Sequence, residues 1–188
     1  MKYTWQVWNQ ALAPEYCDYI VSKAMQRPPM TGGVGNHVSD AQMRPEVRVS
    51  TLRWLDIDGL DRDIADQLMW FFRRSNLDVF GFDITEPLEV QFTEYVGALG
   101  GKYDWHQDVI WQNDTAYDRK LSIVVQLSQP EDYAGGEFEF FGYPSPGDDF
   151  RKRGSVLVFP SFFHHRVLPV TSGIRHSLVS WVVGPKFR

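Results

Sequence analysis

From Pro87 onward the chain reads as short strands set too closely for a long helix to fit between them. LEVQFTEYV, KLSIVVQLS, EFEFF, SVLVFP, HRVLPV and IRHSLVSWVV follow one another, β-branched and aromatic, divided by clusters of Gly, Pro, Asp and Asn. Strands joined only by turns and short loops bury their apolar faces against a second layer, so this half is predicted to form a β-sandwich or barrel of jelly-roll type. The first half has a different texture. LAPEYCDYIVSKAM opens a helix at Pro14, with Glu15 next and Cys17, Ile20, Val21 and Ala24 at helical spacing; Asp58 to Asn76 repeats the pattern with Ile64, Leu68, Phe71 and Phe72. VRVSTLRWL alternates and is predicted to be one strand. RPPMTGGVGNHVSDAQMR, from Arg27 to Arg44, lacks periodicity and is predicted to be a loop, a candidate lid over residues 28–44. The expected class is therefore α+β, mainly β: one domain over residues 1–188, with a helical part of about 1–86 supporting a jelly-roll core of about 87–188.

Composition decides what such a fold is for only by exclusion. With 43% hydrophobic residues, seven Trp and thirteen Phe, the 188-residue chain can bury one substantial core and is not disordered. A net charge of −5 argues against a nucleic-acid partner, which calls for a basic surface. Cys17 is the single cysteine, so no internal disulfide forms; MKYTWQVWNQ lacks the apolar run of a secretory signal, and no stretch reaches the roughly 20 apolar residues of a membrane span. A cytoplasmic protein without membrane contact is expected. Nothing in the sequence specifies an oligomeric state.

The stretch with chemical content is Tyr103-Asp104-Trp105-His106-Gln107-Asp108. On an extended strand positions i and i+2 share a face, so His106 and Asp108 project together as an imidazole and a carboxylate. A lone His-x-Asp is more often a surface hydrogen bond; a second histidine would complete the two-histidine, one-carboxylate set of non-haem Fe(II) oxygenases. FPSFFHHRVLPVTSGIRHSLVSW holds three of the five histidines. In it His165 opens an alternating strand, residues 169–173 are predicted to turn, and the returning strand carries Arg175, Ser177, Val179 and Trp181 on one face, with Ile174, His176, Leu178 and Val182 on the other. An arginine among such neighbours faces an interior and needs an anionic partner to offset its desolvation. A dicarboxylate suits it: the planar guanidinium donates two parallel hydrogen bonds, and the Ser177 hydroxyl stands one pleat away.

On His106-x-Asp108, His165, Arg175 ten positions further and Arg175-x-Ser177, together with VQFTEYVGALGGKYDWHQD and SQPEDYAGGEFEFF, the sequence from about Arg48 to Pro185 resembles the Fe(II)- and 2-oxoglutarate-dependent dioxygenases, specifically their prolyl 4-hydroxylase-like group. The resemblance implies a double-stranded β-helix, a form of jelly roll. It implies Fe(II) held by His106, Asp108 and His165, with Arg175 on the distal carboxylate of 2-oxoglutarate, Ser177 assisting, and Tyr95 in the co-substrate pocket. O2 is the second co-substrate, and ascorbate a further cofactor of the group. The implied reaction couples decarboxylation of 2-oxoglutarate to C–H hydroxylation of a peptide or protein proline at carbon 4; a free amino acid or other small molecule is the alternative substrate. Spacing to Arg175 favours His165 over His164 as the ligand.

Several of these residues carry a plainer alternative. Gln91, Thr93 and Tyr95 share a face that is either pocket lining or solvent side. Trp105 and Trp111 are either core aromatics or walls of a substrate cleft. His176 should point away from Arg175, His37 reads as loop surface, Gly135-Gly136-Glu137 as a tight hairpin turn, and Arg151-Lys152-Arg153 as a solvated loop. A non-catalytic jelly-roll binding module is the reading from another class; it has no use for a buried arginine ten residues after a metal histidine.

Overall fold

The computed structural model describes residues 4–34, 42–85, 87–111 and 114–188. Two antiparallel sheets face each other. The larger runs in the order β1 (Gln6–Trp8), β10 (Val156–Pro160), β7 (Tyr117–Gln126), β12 (Val170–Pro185), β5 (Pro87–Val96), β4 (Thr51–Trp54), β2 (Met30–Thr31), with β8 (Tyr133–Gly135) on the first residues of β12. The smaller is β3 (Arg48–Val49), β6 (Lys102–His106), β11 (His165–Val167), β9 (Phe138–Phe140). Helices α1 (Pro14–Met25) and α2 (Arg62–Ser75) cover the outer face of the large sheet, and a short α3 (Asp148–Arg151) precedes β10. No helix among the described residues is long and apolar enough to cross a membrane.

The large sheet is thus buried on both faces, which explains why SVLVFP is apolar without alternation although its neighbours are antiparallel. One face of the sheet, with Val90, Phe92, Leu121, Ile123, Val125, Val156, Val158, Leu178 and Val182, packs on Cys17, Ile20 and Ala24 of α1 and on Ile64, Leu68, Phe71 and Phe72 of α2. Between the sheets lie Tyr95, Val124, Leu157 and Phe159 against Phe138, Phe140 and Val167.

α1 begins where the proline places it, with Glu15 in the first turn and Lys23 in the last, as the backbone dipole favours. α2 starts at Arg62, later than its apolar spacing suggested, because residues 57–61 form turns that end on Asp61. Asp61 is fully buried and joins the two helices: Oδ2 accepts from Arg27 Nη2 at 2.6 Å and from the Asp56 amide at 2.8 Å, and Lys23 Nζ stands 3.2 Å from Oδ1. Burial alone would raise its pKa, but the Asp56 amide, Arg27 and Lys23 outweigh that and hold the carboxyl below the usual carboxylate range. The folded pKa is depressed, so the stabilisation is present above the unfolded value near pH ~4 and disappears as pH falls through the folded one. Asp61→Asn is expected to cost about 3 kcal/mol at neutral pH, since it strands two cations, and to flatten the acid limb of stability against pH. Urea unfolding at pH 7 and pH 4 measures both; equal midpoints for variant and wild type at pH 7 would contradict it.

Several local readings change. VRVSTLRWL is not one strand: Arg48–Val49 pairs with β6 in the small sheet and Thr51–Trp54 with β5 in the large one, the chain turning a corner at Ser50. HRVLPV and IRHSLVSWVV do not form a hairpin, because β11 pairs with β6 and β9 whereas β12 pairs with β5, β7 and β8. Gly135-Gly136 is likewise a crossing between sheets, from β8 to β9; both glycines have positive φ, 73° and 68°, and a Cβ at Gly135 would collide with the Pro169 carbonyl. A turn signal marks where a strand ends and is silent on which sheet takes the next one. The basic cluster is a brace rather than a solvated loop: Arg151 donates to the Gly135 and Tyr133 carbonyls at 3.0 and 3.1 Å and lies over the Tyr133 ring, Lys152 pairs with Asp149 and Arg153 with Asp18. The first 86 residues also do more than support the core, since they supply β1 to β4. Met30–Thr31, read as loop, pairs with β4, and Val34 bridges Gln42; His37 and the rest of the candidate lid over 35–41 lie outside the described residues.

Candidate metal and co-substrate site

His106 and His165 are direct cross-strand partners in the pairing of β6 with β11. Each imidazole is set by a backbone carbonyl two residues earlier: Nδ1 of His106 lies 2.7 Å from Asp104 O, and Nδ1 of His165 lies 2.8 Å from Phe163 O. With Nδ1–H donating there, Nε2 of both rings carries the free lone pair and faces the other. Asp108 sits just past the end of β6. Its amide donates to Ser161 O at 2.9 Å, and its carboxylate accepts from Ser122 Oγ at 2.6 Å. Asp108 Oδ1 is then 3.9 Å from His106 Nε2 and Oδ2 is 3.6 Å from His165 Nε2, so that one ligand atom from each residue lies within 4.8 Å of the others. The shared face expected from i, i+2 spacing is realised although the strand ends at His106.

Burial, with His165 alongside, pushes the His106 imidazole well below its ordinary pKa, leaving the ring neutral at neutral pH. Burial would raise Asp108, but His165, His106, the Ser122 hydroxyl and Arg119 together hold it below the usual carboxylate range. Neutral imidazole and ionised carboxylate are the protonation states in which these groups bind a divalent first-row metal, so the donor set fits one.

At the deep end of the same cavity Arg175 is 0% exposed, and its Nε, Nη1 and Nη2 have no hydrogen-bond partner among the described residues. It projects from β12 opposite Tyr95 of β5, whose ring centre lies 5.4 Å from the guanidinium; Ser177, next on that face, stands opposite Thr93 and Gln126. Gly136 is needed for this placement, because a Cβ there would fall 3.0 Å from Arg175 Cδ. A desolvated guanidinium costs several kcal/mol unless an anion meets it, so the protein carries a site specified for an acid group. The cavity holds about 460 Å³ and is lined by the triad, Arg175, Ser177 and Tyr95, with Gln91 further out. Gln91 and Tyr95 line the cavity and Thr93, between them on the same face, is buried and accepts from Gln91 Nε2 at 2.8 Å, so the face is the pocket side.

Some site residues escaped the sequence reading. Ser122 belongs to a strand that reads as plain core, yet it orients Asp108; its sign was the alternation of Lys120, Ser122 and Gln126 with Leu121, Ile123 and Val125 along one strand. At the mouth Arg119 Nη2 lies 3.2 Å from Glu89 Oε2 and its guanidinium 4.0 Å from the centre of the Trp181 ring, where Trp181 Nε1 is buried without a hydrogen-bond partner among the described residues. The two tryptophans singled out beforehand lie elsewhere. Trp105 turns to the opposite side of β6, under Arg166 and edge-on to Phe141; Trp111 is 54% exposed, donating to Gln107 Oε1 at 3.2 Å, and neither lines the cavity. His164 is exposed beside Phe141, and His176 lies on the far face of β12, 3.0 Å from Glu94.

Two imidazoles and a carboxylate on one wall of a jelly roll, with an unpaired arginine deeper in the same cavity, are the features of a non-haem iron oxygenase. The chain belongs to the 2OG-Fe(II) oxygenase superfamily, whose family profile matches residues 90–183, half of its length. It is similar to the PKHD-type hydroxylase of Hyphomonas neptunium, 38% identical over 85 residues that cover 44% of this chain and 38% of the relative. A PKHD-type hydroxylase of Synechococcus sp. (strain CC9311) is 35% identical over 120 residues, 64% of this chain and 51% of the relative. The chain therefore spans about half, or less, of the length of these curated relatives. Among solved structures, a prolyl hydroxylase from Trichoplax adhaerens in complex with a hypoxia inducible factor oxygen degradation domain peptide fragment superposes with a TM-score of 0.73 at 16% identity, covering 95% of this chain and 83% of that one, and so shares the fold. That fold is the double-stranded β-helix.

Proposed function

We propose that this protein is an Fe(II)- and 2-oxoglutarate-dependent prolyl 4-hydroxylase acting on a peptide or protein proline, residues 1–188 forming one catalytic domain. The observation that carries the co-substrate assignment is Arg175, fully buried, without a hydrogen-bond partner among the described residues and in one cavity with the His106, Asp108 and His165 cluster. His106, Asp108 and His165 would hold the metal, and the cavity beside them would receive co-substrate and oxygen. Arg175 would take the distal carboxylate of 2-oxoglutarate, with Ser177 and Tyr95 beside it. When bound, iron with 2-oxoglutarate and O2 supplies the oxidising power for an unactivated C–H bond; the chain supplies position and exclusion of water.

The peptide reading is supported by the peptide-bound prolyl hydroxylase that shares the fold and by the cavity mouth. Trp54, Tyr117 and Trp181 line it with aromatic surface suited to a pyrrolidine ring, while Gln91 and the Arg119–Glu89 pair supply groups for peptide carbonyls and amides. Fe(II)-loaded protein with 2-oxoglutarate under air, given proline-containing peptides in parallel with free amino acids, tests it by mass spectrometry and succinate release. Gain of one oxygen on peptide proline is the expected result. Gain on a free amino acid alone would move the substrate to the small-molecule class. No product and no succinate from folded, iron-loaded protein would end the enzyme reading.

A further inference from the structure

Tyr103 and His106 are three residues apart on β6 and by strict alternation would face opposite ways. They stack instead, ring centres 3.5 Å apart and planes within 12°. The cause is a bulge: opposite β11, His106 pairs with His165 but Tyr103 with Val167, so β6 spends one residue more than its partner. The bulge is held by the Asp104 amide on Val47 O at 2.8 Å and by the Trp105 amide on Asp104 Oδ1 at 2.8 Å. The guanidinium of Arg48, the cross-strand partner of Tyr103 on β3, also lies over that ring, 4.3 Å from its centre. Arg48 is 8% exposed and is gripped in turn: Nε donates to Ser50 Oγ at 2.8 Å, Nη1 points to Gly33 O at 3.4 Å, and Gly32 passes so close that a Cβ there would lie 2.9 Å from Nε. Residues 30–33, which border the cavity mouth, thus rest on the arginine.

We propose that Arg48 is a positioning residue for the metal ligand His106, acting through Tyr103. The Nδ1 bond to Asp104 O leaves the imidazole free to swing about that one anchor; the tyrosine face removes the swing, and the arginine pins the tyrosine. This rests on the reading of the triad as the metal site. Charge gives the opposite expectation from position: a guanidinium one ring away from a dication repels it, so removing the arginine for charge alone would tighten metal binding. The sign of the change separates the two.

Metal-free protein is titrated with Co(II), followed by its visible bands, for wild type, Arg48→Met, Arg48→Lys, Tyr103→Leu, the Arg48→Met/Tyr103→Leu double variant and His106→Ala, with near-ultraviolet circular dichroism to check folding. Both Arg48 variants are expected to bind Co(II) about tenfold more weakly, Lys included because it keeps the charge without the plane. The double variant is expected to be no weaker than Tyr103→Leu alone, since the arginine acts only through that ring. Unchanged or tighter binding in Arg48→Met, or in Arg48→Lys should the methionine variant not fold, overturns the inference, as does full additivity in the double variant. If His106→Ala also binds like wild type, it is the metal-site reading that falls; if only His106→Ala loses Co(II), the metal site stands and the role of Arg48 does not.

Discussion

Arg175→Met is expected to lose 2-oxoglutarate binding by at least about a hundredfold and, in the same protein, to raise the thermal midpoint of the ligand-free form. The two effects have one cause. The guanidinium is fully buried and its three nitrogens have no hydrogen-bond partner among the described residues, so the ligand-free fold bears the desolvation of a charge without return; an apolar side chain of similar length in its place is expected to stabilise by about 1–4 kcal/mol, as for buried charges replaced with packing kept. With co-substrate the same nitrogens form charge-assisted hydrogen bonds worth roughly 1.5–3 kcal/mol each, and two of them account for the lost affinity. A thermal-shift series shows both: wild type should rise with 2-oxoglutarate according to its saturation, and the variant should start higher and stay flat. A variant that still rises with 2-oxoglutarate would remove Arg175 from the co-substrate site.

Asp108→Ala and His165→Ala are expected to abolish retention of Fe(II) and turnover with it, beyond the roughly 10–100-fold that loss of an outer partner of a ligand costs. Two donors cannot hold iron firmly on one side, and iron stands low in the affinity order, so nothing else in the cavity makes up the loss. The change should be specific to metal. Asp108 leaves behind Ser122, which still has Ser161 Oγ at 2.9 Å, and the fold around it is the sealed strand pair of β7 and β10. Metal content after loading and dialysis, beside circular dichroism, reads this directly. Near-stoichiometric iron in a folded Asp108→Ala protein would mean that the carboxylate is not a ligand.

Much of this site could be read from the chain because its pieces are local. Two-residue alternation puts Arg175 and Ser177 on one face with no knowledge of a partner strand; the same spacing foretells His106 beside Asp108, although Ser161 and Ser122 are what hold Asp108 there once the strand has ended. Where a feature depended on which strand came alongside, the sequence was silent or misleading. The corner at Ser50 and the crossings at Gly135-Gly136 and Leu168-Pro169 look like continuous strand or hairpin, since a glycine or proline shows that the chain turns and not where it goes.

What the sequence determined by itself is the period of its strands and the chemistry at each position: a β-rich second half, an imidazole beside a carboxylate, an arginine with a serine one pleat on. What the tertiary structure decided is partnership. It set His165 directly across from His106, brought Ser122 under Asp108, and turned Tyr103 by a bulge onto the His106 ring, with Arg48 over the tyrosine. Periodicity is carried by the backbone of one strand, whereas partnership is selected by burying both faces of a sheet at once, a condition that no single segment contains.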